Sequence, residues 1–143
     1  MFKNPLLIIF FLSSINTFSQ ETNPPNIILM IGDGMGVSQI SSGMYSNNNY
    51  TSFEKSEYVG LIKSHSADEL VTDSAAAGTA MFSGIKTKNK VIGMDVNFNP
   101  VKSIFDICVE KGYSTAIIVT STIVHATPAS LYSSVESRYD YDE

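Results

Sequence analysis

The run Asp73-Ser74-Ala75-Ala76-Ala77, inside Val71–Ala80, places one hydroxyl behind an acid and ahead of small helix-forming residues. This is how a serine is set at the first turn of a helix, where free backbone N–H groups and the positive dipole end favour an anion. Forty-one residues upstream, the apolar run Ile27-Ile28-Leu29-Met30-Ile31 leads into Gly32-Asp33-Gly34-Met35-Gly36, a single carboxylate between two glycines. Asp33 is therefore a candidate metal ligand. A third segment, His125-Ala126-Thr127-Pro128-Ala129-Ser130, and Ser137-Arg138 after it supply an imidazole, hydroxyls and the only guanidinium of the chain. Taken singly, each has an ordinary explanation: Ser74 as a helix N-cap, Asp33 as the shaper of a glycine-rich turn, Arg138 as a surface residue. Taken together they point to one site.

In this order and at about this spacing, Gly-Asp-Gly-Met-Gly, Thr-Asp-Ser-Ala-Ala, Ala-Thr-Pro-Ala and Ser-Arg resemble the motifs of the alkaline phosphatase family. The resemblance runs from about Asn26 to the last residue, and Ser83-Gly84-Ile85-Lys86-Thr87 and Ile92-Gly93-Met94-Asp95 resemble its connecting segment. A Gly-Asp-Gly turn is shared with related metal-dependent phosphatases, sulfatases and mutases. The serine motif narrows the choice, because the cysteine or serine followed by Pro and Arg of sulfatases is absent.

The resemblance implies hydrolysis of small-molecule phosphate monoesters at a site with two zinc ions and one magnesium. Metal pairs roughly 3.5 to 4 Å apart stabilise the entering and leaving oxygens of an in-line displacement. In that scheme Asp33 bridges a zinc and the magnesium. Ser74, deprotonated by zinc contact, attacks phosphorus and becomes a phosphoserine that water then hydrolyses. Arg138 lies eleven residues after Thr127 and grips phosphate oxygens through its planar fork, which lysine cannot reproduce. By the same resemblance Thr127 carries over as a magnesium-site oxygen ligand, oxygen being what a hard cation prefers. His125, placed by the resemblance beside that site, is expected to weaken the preference for magnesium over zinc or cobalt, since imidazole suits softer ions. Asp73 has two readings of equal weight: it orients the arginine, or it only caps the helix.

The elements that must position these residues are those of an α/β fold, a mostly parallel sheet with helices on both faces. Continuous apolar runs predict buried strands at Ile27–Ile31, Tyr58–Lys63 and Thr115–Thr120. Helices are expected over Val37–Met44, with a polar Ser46–Asn49 stretch closing it, and over Ser74–Phe82. A further helix after Lys102 has Ile104, Phe105, Cys108 and Val109 at helical spacing and Gly112 as its stop. Helix followed by strand implies a right-handed crossover, which puts Asp33 and Ser121–Thr127 beyond strand C-terminal ends, where open sheets hold ligands.

Composition sets the outer bounds. With 143 residues, 43% hydrophobic and 16% charged, the chain suits one globular domain at most. A net charge of −5 argues against a nucleic-acid surface. Lys86, Lys88 and Lys90 read as a solvated turn without a partner, and His65 as a surface or strand-end residue. Cys108, the lone cysteine, reads as a buried thiol. Lys3, the apolar Leu6–Leu12 and Thr17-Phe18-Ser19 form an export signal over residues 1–19. Its apolar run is too short to be a stable membrane anchor, which needs roughly 20 residues. The product is expected to be periplasmic or extracellular, and the family admits a homodimer.

A two-zinc site needs about three protein ligands per metal. After Ser74 the only histidine is His125, so residues 20–143 read as the N-terminal portion of an alkaline phosphatase domain. Two readings follow: a secreted phosphomonoesterase whose natural polypeptide is longer, or a non-catalytic remnant that binds metal or phosphate weakly. Little or no turnover is expected from these residues alone.

Overall fold

The computed structural model describes residues 25–140. The chain divides into two units, residues 1–31 and 32–143, and of the first only 25–31 are described. The export signal expected at residues 1–19 lies outside the described residues.

The helices follow their local chemistry. Helix α1, Val37–Ser46, is entered from Gly36, whose N–H donates to Gln39 Oε1 at 3.0 Å. It runs two residues past the expected end before Asn48 and Asn49 turn the chain at φ 52° and 58°. Asparagine tolerates this left-handed region because its short amide bonds to nearby backbone. A 3-10 turn, Ser52–Lys55, follows. Helix α2, Ser74–Ser83, starts on Asp73, whose carboxylate accepts from Ala76 N at 2.9 Å. Helix α3, Ile104–Glu110, opens with a reciprocal cap: Ser103 Oγ accepts from Asp106 N, and Asp106 Oδ2 accepts from Ser103 N. Helix α4, Ala126–Ala129, is a single turn that the sequence pattern did not announce.

The core combines small residues, Phe82 of α2, Val91 and one crossing of the chain. Ala75 of α2, Ala126 and Ala129 of α4, and the pair Ile92 and Val135 form the buried apolar cluster. Ile92 and Val135 exchange two backbone hydrogen bonds of 3.0 Å as an isolated antiparallel bridge. Burying each of these two side chains stabilises the fold by about 1.5–3 kcal/mol. Of the buried hydroxyls, those of Thr79 and Ser130 are satisfied, while Thr87 Oγ1 has no hydrogen-bond partner among the described residues. Thr79 Oγ1 accepts from Gly93 N at 2.9 Å, and Ser130 Oγ donates to Ala126 O at 2.8 Å. Gly78 lets α2 and α4 approach, since a Cβ there would stand 2.8 Å from Ser130 Oγ. Gly93 has φ 61°, and a Cβ on it would overlap the Ser133 carbonyl oxygen.

The expected strands are not formed. Among the described residues, Ile27–Ile31, Tyr58–Lys63 and Thr115–Thr120 carry no ladder. A strand exists only through hydrogen bonds to a neighbour, and an apolar run supplies the burial without supplying the partner. Their side chains are accordingly outside: Leu61 is 99% and Ile118 95% exposed. Helix α3 has no buried residue for the same reason, its apolar stripe having no sheet beneath it. Cys108 is thus half-buried and not the interior thiol expected. Among the described residues, no helix is long and apolar enough to cross a membrane.

Candidate active site

Ser74 is the first residue of α2, as its neighbours dictate: an acidic cap before it, small residues after it. Asp73 occupies the cap with extended backbone (φ −93°, ψ 173°), and its two carboxylate oxygens do separate work. Oδ1 accepts from Ala76 N at 2.9 Å and satisfies one of the free N–H groups of the first turn. Oδ2 accepts from Lys90 N at 2.9 Å and from Arg138 Nη1 at 3.2 Å. The two readings of Asp73 are therefore both present in one carboxylate.

Arg138 reaches this point because the Ile92–Val135 bridge fixes the register of the chain three residues earlier. Its own N–H then donates to Lys90 O at 2.8 Å. The Arg138 and Asp73 side chains are 19% and 22% exposed, so the ion pair is shielded from solvent on most sides. Asp73 engages only one guanidinium nitrogen. A guanidinium has five N–H donors, so most of the fork is left for a second anion.

Asp33 lies in a turn closed by Met35 N donating to Gly32 O at 3.1 Å, with Gly34 at φ 66° as its third residue. A positive φ at this position is what glycine supplies without strain. Asp33 Oδ2 accepts a 2.7 Å hydrogen bond from Thr127 Oγ1, across 94 residues of sequence. Two of the expected magnesium-site oxygens are thus in contact. Thr127 sits on α4, which packs on α2: its carbonyl oxygen is 3.6 Å from where a Cβ on Gly78 would be. The serine helix and the turn bearing Thr127 are neighbours through this small-residue contact.

His125 is the residue before α4, with extended backbone at φ −64°, ψ 149°. Among the described residues its ring and Ser74 Oγ make no hydrogen bond to the other site residues. No group of three His, Cys, Asp or Glu gathers there either. The Asp33–Thr127 oxygen pair fits part of the shell of a hard cation such as magnesium. A zinc cage of about three nitrogen, sulfur or carboxylate ligands does not fit the described residues.

Two contributors were not anticipated. Asn89 Oδ1 accepts from Asp73 N at 3.0 Å, and its neighbour Lys90 gives its N–H to Asp73 Oδ2. Of the lysines here, Lys86 and Lys90 are exposed and Lys88 is half-buried. Lys86 Nζ donates to His65 O and Lys88 stands over the Phe98 ring. Only the fold brings this turn to Asp73; nothing in Lys88-Asn89-Lys90 itself signals it. The Asp68 carboxyl is held below its ordinary value of 3.8, first by the Asn89 N–H and then by the Ser66 hydroxyl.

Residues 25–143 match the family model for alkaline phosphatase. Alkaline phosphatase 4 of Bacillus subtilis (strain 168) is 41% identical over 128 residues, which are 82% of this chain and 28% of that protein. The solved alkaline phosphatase from the Antarctic bacterium TAB5 is 43% identical with a TM-score of 0.78, over 81% of this chain and 34% of that one. A variant of the Antarctic enzyme with one histidine changed to aspartate has Mg bound in its M3 site, and matches at 42% identity and the same TM-score and coverage. The chain spans between a quarter and about a third of the length of these proteins. Over the matched part the backbone follows the course of the alkaline phosphatase-like α/β fold, although the ladders themselves are not closed here. With this match in sequence and in backbone, the chain belongs to the alkaline phosphatase family.

Proposed function

We propose that the complete gene product hydrolyses phosphate monoesters, with Ser74 as the nucleophile that becomes a phosphoserine and Arg138 as the group that grips the phosphoryl oxygens. The observation that carries this reading is the Asp73 carboxylate, which holds the start of the Ser74 helix with one oxygen and the Arg138 guanidinium with the other. A phosphoryl group between the two would meet free helix N–H groups on one side and the open guanidinium fork on the other. Serine is a weak nucleophile at its free pKa, and an anion-favouring helix start stabilises both its alkoxide and its phosphoester.

Two zinc ions and one magnesium belong to this reading for the whole polypeptide. When bound, such ions supply positive charge against the entering and leaving oxygens and lower the pKa of a water. Of the residues described, Asp33 and Thr127 would hold magnesium, with His125 beside them. Magnesium in the M3 site of the Antarctic variant supports a hard-cation site of this kind. The described residues do not build a zinc cage, so the 143-residue chain by itself is proposed to turn over little or no substrate. Export through the segment at residues 1–19, to a periplasm or the medium, completes the reading.

The test is covalent. With zinc and magnesium supplied, the complete gene product should take up labelled phosphate on Ser74, and Ser74→Ala should abolish both labelling and turnover. A protein that hydrolyses phosphomonoesters while Ser74 is never labelled, or that survives Ser74→Ala, overturns the reading. Serine-dependent hydrolysis by purified Gln20–Glu143 would overturn the statement about the chain alone. N-terminal sequencing of the exported protein, expected to begin at Gln20, tests the signal.

A further inference from the structure

Asn89 is 16 residues from Asp73 in sequence, yet its side-chain amide spans the strip that leads into Ser74. Its Oδ1 accepts from Asp73 N at 3.0 Å, and its Nδ2 donates to Val71 O at 2.9 Å. These partners fix which way the amide faces: a peptide N–H needs an acceptor and a carbonyl needs a donor. Behind it, the Asn89 N–H donates to Asp68 Oδ1 at 3.0 Å, and Asp68 Oδ1 also accepts from Ser66 Oγ at 2.8 Å. The next residue continues the clamp. Lys90, at φ 75°, gives its N–H to Asp73 Oδ2 and its carbonyl to Arg138 N. One two-residue turn therefore touches both partners of the Asp73–Arg138 ion pair and the backbone immediately before Ser74.

We infer that Asn89 is a positioning residue: it sets the Asp73 backbone, and through it the Asp73–Arg138 pair, relative to Ser74. The inference rests on the reading of Ser74 and Arg138 given above. Neither the hydroxyl nor the guanidinium is touched by Asn89. Its effect passes through the placement of Asp73, and a displacement of about 1 Å at a reacting group can cost on the order of a hundredfold in rate. Aspartate cannot replace it, because a second acceptor would face the Val71 carbonyl and a negative charge would be added beside Asp73.

The experiment is a double-mutant cycle on the complete gene product with zinc and magnesium supplied, reading kcat/KM and inhibition by inorganic phosphate. Asn89→Ala is expected to lower kcat/KM on the order of tenfold and to weaken phosphate inhibition. In an Arg138→Ala background the same change should add little, since residues acting through one another are not additive. An equal loss in both backgrounds, or no loss in an Asn89→Ala protein of wild-type melting temperature, overturns the inference. Should Asn89→Ala fail to fold, Asn89→Asp, which keeps the acceptor to Asp73 N, is read in the same cycle with the same two outcomes. Ser74→Ala separates the levels: if it stays active the serine reading fails, whereas a dead Ser74→Ala beside an unimpaired Asn89→Ala sinks the positioning role alone.

Discussion

At the scale of residues, the division of labour within the Asp73 carboxylate can be taken apart by substitution. Asp73→Ala removes the cap and leaves Lys90 N without its acceptor, a loss of about 1 kcal/mol from the cap alone. Asp73→Asn keeps an oxygen for Ala76 N, asparagine being as good a cap as aspartate, but turns an NH2 donor toward the Lys90 N–H and Arg138 in place of their shared acceptor. The melting temperature should fall in both, less in the second because its cap survives, and phosphate affinity should change in both. Equal melting losses would show that the ion pair, not the cap, holds the segment. His125 tests the cation pair: His125→Asp should move activation toward magnesium and away from zinc and cobalt, because carboxylate oxygen suits the harder ion. Coincident metal profiles would remove His125 from the site. Asp68 sets an acid limit. Its carboxyl is depressed below 3.8 by the Asn89 N–H and the Ser66 hydroxyl, so its support is complete above that value and lost as pH falls below it. Asp68→Asn should flatten the melting-temperature profile below about pH 4. The motif residues around Ser74 were legible because their chemistry is local. Asn89 was not, because its partners lie 16 and 18 residues away and carry no periodic signal.

At the scale of elements, the three longer helices were readable to within a residue or two, since local residues bound them: Gln39 reaching back to Gly36 at α1, Asp73 and Gly84 around α2, the Ser103–Asp106 cap at α3; the single turn α4, without a side-chain cap, was not. Strands were not, because their definition is a partner elsewhere. The close packing of α2 on α4 also depends on what is absent from a side chain. Gly78→Ala would gain helix propensity of about 1 kcal/mol. It would also press a methyl to 2.8 Å from the buried Ser130 hydroxyl, which is held by Ala126 O. A net loss is expected, with Ser130→Ala recovering part of it. Gly93→Ala is more severe: backbone strain at φ 61° costs about 1–3 kcal/mol before any clash, and the obstacle is the Ser133 backbone, which cannot rotate aside. Thermal or urea unfolding of the two variants should rank them in that order, and an unchanged Gly93→Ala protein would mean that the Ile92–Val135 crossing is not as tight as described.

At the scale of the whole molecule, the chain is about a third or less of the length of its relatives, and among the described residues the apolar runs that did not pair are strongly exposed. Tyr58, Val59, Leu61 and Ile62 are all more than four-fifths exposed within five residues. Unpaired apolar segments of this kind are templates for association. The 143-residue chain produced alone should bind a hydrophobic dye and scatter light increasingly with concentration, and Val59→Lys with Leu61→Lys should reduce both. A clear, dye-negative solution at high concentration would contradict the exposure described. The bond between Thr127 and Asp33 has a consequence in time. It closes a loop of 94 residues, whereas the turn that starts the Ser74 helix is complete within four. Contacts with long loops are entropically slow to close, and a polypeptide emerges from the ribosome N-terminus first. The Ser74 helix can therefore form while Asp33 still waits for Thr127 to be synthesised, so a cation arriving early would find one oxygen of the pair and not the other.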